Sequence, residues 1–401
     1  MKNLLRTAIA ASLMMSSSSL MAEAQVPENK SLFNSKTFTS MELRNIGPAY
    51  MSGRISDIAV DKNNPSTWYT AVASGGVWKT VNAGTTWLPI FDKQAVYSTG
   101  DVTIDPSNSN IIWVGTGENN GGRHISFGDG VYKSLDGGKT WKNMGLKDSE
   151  RISDIIVHPT DSNTVWVSAQ GPLWTGGGER GLYKTTDGGK TWKQVLTPAD
   201  KWTGVTSLLI DPRNPNKLYA ATWSRQRTVA AYVGTGPGAG IHTSDDGGET
   251  WTELKTGLPK GNMGKIGMAI SPKNPDVLYA TIETDNRKGG FYRSENQGAT
   301  WAKMSDEVGG GTGPHYYQEI FADPHQFDRV YIASNYSKVS NDGGKTWTPI
   351  NTKRKHVDDH AFAFHPTDPD FVLIGSDGGI YMSHDRMANW RFMANLPLTQ
   401  F

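Results

Sequence analysis

Hydrophobic and polar positions alternate along this chain in short runs that keep returning to one kind of turn. Gly130-Val131-Tyr132-Lys133-Ser134 alternates up to a polar, glycine-rich segment, and Thr140-Trp141-Lys142-Asn143-Met144 alternates away from it. Period-two alternation on both sides of such a turn predicts a β-hairpin. The turn pattern Ser/Thr-x-Asp-x-Gly-x-Thr-Trp occupies residues 134–141 and recurs at 185–192, 244–251 and 340–347, with Asp136, Asp187, Asp246 and Asp342 in third place. Copies at 80–87 and 294–301 carry Asn82 and Asn296 there, and a worn copy at 383–390 keeps Asp385 but has Met387 in place of a glycine. The seven closing tryptophans lie 43 to 59 residues apart, a period typical of propeller blades or solenoid units.

Within each period the pattern predicts four strands. In the first they fall on residues 55–61, 67–73, 76–80 and a short run from Thr86, separated by segments such as Asn63-Asn64-Pro65. Later innermost strands are predicted at 101–105, 152–158, 205–211, 266–271, 318–323 and 360–365, each followed by a proline that ends ladder bonding. Seven four-stranded antiparallel units predict an all-β, seven-bladed propeller over residues 49–401, with an open repeat stack as the competing architecture. The repeated carboxylates and amides read as structural. They accept hydrogen bonds from their own turn, while glycine supplies the backbone conformations and tryptophan buries a large apolar face.

Composition changes this picture in only a few places. The 401 residues include 45 glycines, 14 tryptophans and no cysteine, and the formal charge is +1. Disulfides and thiolate chemistry are therefore excluded, and with no basic stripe a nucleic-acid partner is not expected. Residues 1–24 stand apart: Lys2 and Arg6 precede an apolar stretch and Ala22-Glu23-Ala24, the pattern of a secretory signal cleaved before Gln25. A secreted or periplasmic protein is expected, with no membrane-spanning segment after that signal. Residues 25–48 read as an irregular segment, within which 37–44 could lend an edge strand.

Connection lengths point to the functional face. The repeated turns join third to fourth strands on one face; the connections between second and third strands lie on the other. There the first blade has a tight turn, whereas the next three carry insertions at 116–129, 170–180 and 223–239. Function concentrates on such insertions over a rigid scaffold. Candidate acids on this face are Asp57, Glu118, Asp129, Glu319, Asp358 and Asp359. Candidate binding residues are Arg54, Asn119, Arg123, His124, Trp174, Trp223, Arg225, His315, Tyr316 and His360, with Arg227 and Tyr232 in the same insertions. Neither a metal nor a cofactor is expected. A glycosidase would need two carboxyl groups flanking the bond, about 5–5.5 Å apart for retention or about 6.5–9.5 Å for inversion. A recognition surface for a polysaccharide or a secreted protein would need no such pair, and neither would an assembly scaffold.

The repeated turn resembles the Asp-box of bacterial neuraminidases, sortilin-type receptors, photosystem assembly propellers and two-propeller xyloglucanases. Gly47-Pro48, Ser52-Gly53-Arg54-Ile55, Gly115-Thr116-Gly117-Glu118-Asn119 and Gly375-Ser376-Asp377-Gly378-Gly379 make the chain similar to sortilin-like bacterial propellers with a glycoside-hydrolase label. The resemblance implies a hydrolase or a glycan-recognising propeller. It departs from sialidases, which are expected to have six blades and an arginine triad. It also departs from xyloglucanases, where one catalytic aspartate is expected in each of two propellers: Ser56, not an acid, falls near the first such position, and Asp57 follows one place later. The final Asn395-Leu396-Pro397-Leu398-Thr399-Gln400-Phe401 is similar to a passage that leads into a second propeller, so a shortened or partial protein is expected.

Overall fold

The computed structural model describes residues 53–285, 288–309, 313 and 315–398. The expected signal segment, the irregular 25–48 stretch and the edge strand at 37–44 lie outside these residues. The described chain forms seven antiparallel four-stranded sheets and one two-stranded hairpin, with helix limited to short 3-10 turns such as Lys147–Ser149. The innermost strands are Ile55–Val60, Thr99–Ile104, Ile152–His158, Thr203–Asp211, Met263–Ile270, Ile320–Ala322 and Asp359–Phe364. Each blade uses four strands in chain order, so the first and last blades are each complete from one continuous stretch.

The apolar runs in the second strands follow from burial on both faces. Ile112 and Val114 pack towards the first blade, while Trp113, between them, packs towards the third. Seven apolar clusters result, each joining two consecutive blades, and one of them joins Ile55, Trp68 and Trp87 of the first blade to Leu373, Met382 and Met393 of the seventh. The ring is therefore a closed seven-bladed propeller, as expected. Its outermost strands are only two to four residues long, which leaves little open edge for intermolecular pairing.

The repeated turns are built as their residues dictate. In the second blade Ser134 Oγ donates to Asp136 Oδ1 at 2.8 Å and accepts from Gly138 N at 2.8 Å, while Asp136 accepts from Thr140 N at 2.9 Å and Thr140 Oγ1 at 2.6 Å. These donors hold the Asp136 carboxyl down at about 2. Three of the closing indoles reach out of their own blade: Trp141 donates to Ile90 O, Trp192 to Met144 O and Trp390 to Asn351 O, each in the preceding blade. In the worn copy Met387 keeps the turn, donating its N–H to Ser383 Oγ, at a positive φ of 70° that glycine adopts in the intact copies.

Two sequence expectations are corrected. The second strand of the fourth blade is Asn214–Ser224, longer than predicted, so Trp223 belongs to a strand and not to the exposed insertion. Several innermost strands also begin one to three residues early, because paired backbone extends past the apolar pattern. Replacing Trp113 by alanine empties one interblade core. We expect a loss of about 3–5 kcal/mol, read as a fall in urea midpoint with unchanged far-ultraviolet circular dichroism at low denaturant.

Candidate functional site

The face opposite the Asp-box turns is organised by Arg54, which enters the innermost strand of the first blade. Its guanidinium donates to Asp377 Oδ1 at 2.7 Å and Oδ2 at 3.1 Å, and to Glu118 Oε1 at 3.0 Å, with His124 Nε2 also 3.0 Å away. His360 Nε2 lies 2.9 Å from Asp377 Oδ1. Burial alone would raise the Asp377 carboxyl, yet the His360 and Arg54 contacts outweigh it and hold the group well below the ordinary range. Asp377 was missing from the sequence candidates; its signal was the Gly375-Ser376-Asp377-Gly378-Gly379 turn.

The insertion of the second blade does not stand out into solvent. It crosses the mouth as a strap. Glu118 holds Arg54 of the first blade, and Asn119 exchanges hydrogen bonds with Thr206 of the fourth at 3.1 and 3.2 Å. Asn119 O accepts from Lys265 of the fifth blade at 3.1 Å, and Gly121 N donates to His315 O, ahead of the sixth blade, at 2.8 Å. Arg225, only 1 % exposed, donates to Asn120 O at 2.6 Å from below. Space is tight here: a Cβ on Gly121 would lie 3.0 Å from Tyr232 Oη, and one on Gly122 would lie 2.9 Å from Tyr316 Oη.

The other predicted acids are all engaged. Glu319 pairs with Lys265 at 2.6 Å, Asp358 accepts from Tyr317 Oη at 2.6 Å and from Asn335, and Asp359 is buried against Lys355 and Ser337. Burial lifts the Asp359 carboxyl despite those partners. Asp129 accepts from Tyr132 Oη at 2.8 Å and is not part of the mouth cluster around Arg54. Of the predicted aromatics, Trp174 is 41 % exposed, whereas Trp223 is fully buried with its indole N–H donated to Gly234 O at 2.8 Å. Trp223 is thus a packing residue beneath the face, stacked near Arg225. His124 stacks on Tyr316 at 5.8 Å, and His360 on Tyr317 at 5.1 Å.

Beneath the strap lies a cavity of about 400 Å³ along the ring axis. Its polar wall holds three carboxylates in consecutive blades, Asp57, Asp101 and Asp154, of which only Asp57 had been singled out by sequence. A one-residue bulge in the innermost strands explains their placement. Pairing shifts between Ile55 and Asp57, between Thr99 and Asp101, and between Ile152 and Asp154, so that Ser56 and Asp57, Gly100 and Asp101, and Ser153 and Asp154 all line the cavity. Each carboxylate also ties its blade to the next: Asp57 accepts from Val102 N at 3.0 Å and Asp154 from Leu208 N at 2.9 Å. Burial pushes Asp57 up to about 6. Burial, then the charges of Asp57 and Asp154, push Asp101 well above the ordinary range, and burial does the same to Asp154.

The raised Asp57 value has a definite consequence. Its charged form is disfavoured in the folded state, so the stability associated with the protonated carboxyl is complete below the ordinary value of 3.8 and lost as pH rises through about 6. Asp57→Asn keeps an acceptor for Val102 N–H and removes the charge. We expect a higher thermal midpoint than wild type at pH 7–8, with the difference vanishing near pH 4, in scans across that range.

Comparisons with known proteins agree with this architecture. A family model described as Sortilin, neurotensin receptor 3 (Sortilin-Vps10) matches residues 129–288 and 289–396. A xyloglucanase of Paenibacillus sp is 24 % identical over 82 % of this chain and 34 % of its own length; one of Hypocrea jecorina is 23 % identical over 86 % and 42 %. The chain thus spans less than half the length of these curated relatives. The crystal structure of the GH74 xyloglucanase from Xanthomonas campestris superposes with a TM-score of 0.63 at 16 % identity, covering 86 % of this chain and 55 % of that one. A structure of YCF48 bound to D1 peptide superposes at 0.53 and 16 % identity, covering 86 % and 97 %. At these identities the superpositions speak for the fold, while the family model covers most of the described ring. The chain belongs to the Sortilin-Vps10 family, as a seven-bladed Asp-box propeller homologous to the GH74-type xyloglucanases.

Proposed function

We propose that this propeller recognises glycan chains at the mouth opposite its Asp-box turns, and that the ring by itself does not cleave them. The carrying observation is the engagement of the acids around the rim of that mouth, above the buried Asp57, Asp101 and Asp154: Glu118 and Asp377 with Arg54, Glu319 with Lys265, Asp358 with Tyr317, and Asp359 with Lys355. A general acid and a base or nucleophile must be able to exchange a proton or attack a sugar carbon, and groups locked in ion pairs are poorly suited to either. What the face leaves open are ring surfaces, Tyr316 beside His124 and the half-exposed Trp174, which suit the apolar faces of pyranose rings.

The distant relationship to xyloglucanases supports a glycan ligand without defining its sugars. The expected signal at residues 1–24 supports export, to the periplasm or beyond the cell; no helix among the described residues is long and apolar enough to cross a membrane. Protein recognition is the second reading, favoured by two exposed aromatics on the same face: Tyr97 and Phe127 are 60 % and 65 % exposed, and Tyr97 Oη lies 3.2 Å from Ser126 Oγ.

Titration calorimetry against a panel of soluble polysaccharides, with reducing-end release followed in parallel, tests the proposal. We expect binding without release, and a loss of about tenfold in affinity, 1.4 kcal/mol, for Tyr316→Ala. Release of reducing ends that disappears in Glu118→Gln would overturn the non-catalytic assignment.

A further inference from the structure

The rim beside the strap carries positive charge that the protein itself does not neutralise. Arg123, exposed on the strap, makes no ion pair among the described residues. Arg227, in the two-stranded excursion of the fourth blade, lies over the Tyr232 ring at 4.8 Å, and its buried Nε has no hydrogen-bond partner. The two guanidiniums are close enough that Arg123, after burial, is the next cause lowering the Arg227 pKa. Arg54 and Lys265, by contrast, are already matched by Glu118, Asp377 and Glu319.

Beside these charges runs a continuous aromatic wall. Tyr232 and His315 are 4.9 Å apart, His315 and Tyr316 4.7 Å, and Tyr316 and His124 5.8 Å. His315 adds no charge near neutrality, because burial and then Arg227 and Lys265 hold it down at about 4. The mouth therefore combines sugar-sized ring faces with two unmatched guanidiniums, that of Arg123 exposed and that of Arg227 set deeper, at 8 % exposure. Arginine's planar fork suits bidentate recognition of carboxylates, and a ligand bearing both features is a pyranose with a carboxylate on its ring.

We propose that the glycan bound at this mouth is anionic, a chain of uronate residues whose carboxylates meet Arg123 and Arg227 while its rings lie along Tyr232, His315, Tyr316 and His124. This inference rests on the glycan-recognition reading and adds to it the charge of the ligand.

The test is titration of the full chain with polygalacturonate, with the same polymer methyl-esterified, with neutral xyloglucan oligosaccharides and with poly-glutamate. We expect the free acid to bind at least about tenfold more tightly than its ester, with affinity that falls as salt is added. Arg123→Met and Arg227→Met should each shrink the acid-to-ester ratio. Arg123 is exposed, so its variant tests the idea even if Arg227→Met fails to fold. Equal binding of acid and ester, or preference for the neutral oligosaccharide, would overturn the inference and leave glycan recognition standing. Poly-glutamate bound as tightly as polygalacturonate would overturn it in favour of an acidic peptide. Binding to none of the glycans would remove both readings together.

Discussion

A propeller is stable only if its last blade meets its first, and here that junction depends on Arg54. Its guanidinium grips Asp377 across 323 residues of sequence, while Ile55, next to it, packs so closely on Gly375 that a Cβ there would lie 2.5 Å from its side chain. Lower in the same seam, Asn395 donates to Gly84 O and Thr85 O, joining the end of the seventh blade to the Asp-box turn of the first. Many propellers close by lending a strand from one terminus to the opposite blade. Among the described residues both end blades are built from continuous stretches, and they are joined by apolar packing and by one buried, multiply bonded cation. Removing one partner from such a buried pair typically costs about 3–5 kcal/mol, since the other is left charged and unpaired.

The same cation shapes the face. Because Arg54 reaches Asp377 and Glu118 together, the strap is anchored where the ring closes, and the two acids at that anchor are neutralised from within. The cavity carboxylates below are different. They lie in a desolvated position, which raises their values even though the backbone N–H groups they accept from the neighbouring blade pull the other way. Perturbed titration often marks catalytic groups; here burial accounts for it, as the cost of placing carboxylates where they tie inner strands together.

The fold was almost wholly legible from the chain, because each blade announces itself locally. The Ser134, Asp136 and Thr140 contacts are made within eight residues, so a spacing pattern suffices to reveal them. The site was legible only in part. Arg54, Glu118, Asn119, His124, Tyr316 and His360 do meet at one mouth, since connection lengths pointed to that face. Trp223 was misplaced in the insertion, because where a strand ends is decided by pairing with its neighbours and not by local composition. Asp101 and Asp154 escaped notice because they resemble ordinary strand residues. Only the bulges, which are tertiary features, turn them to the axis alongside Asp57. Asp377 sits in a two-residue turn that gives no local sign of its partner more than 300 residues away.

The strap has a further consequence for how the molecule comes apart. In a ring of repeats each unit touches only its two neighbours, and stability behaves as a one-dimensional chain of local terms in which a damaged unit can melt without disturbing distant ones. Glu118, Asn119 and Gly121 bind the second blade to the first, fourth, fifth and sixth blade regions at once. Those diagonal ties turn a necklace into a wheel with a hub. Opening of any one blade must strain contacts on the far side of the axis, so exchange of inner-strand amides on opposite blades becomes correlated and partial unfolding gives way to a single cooperative event.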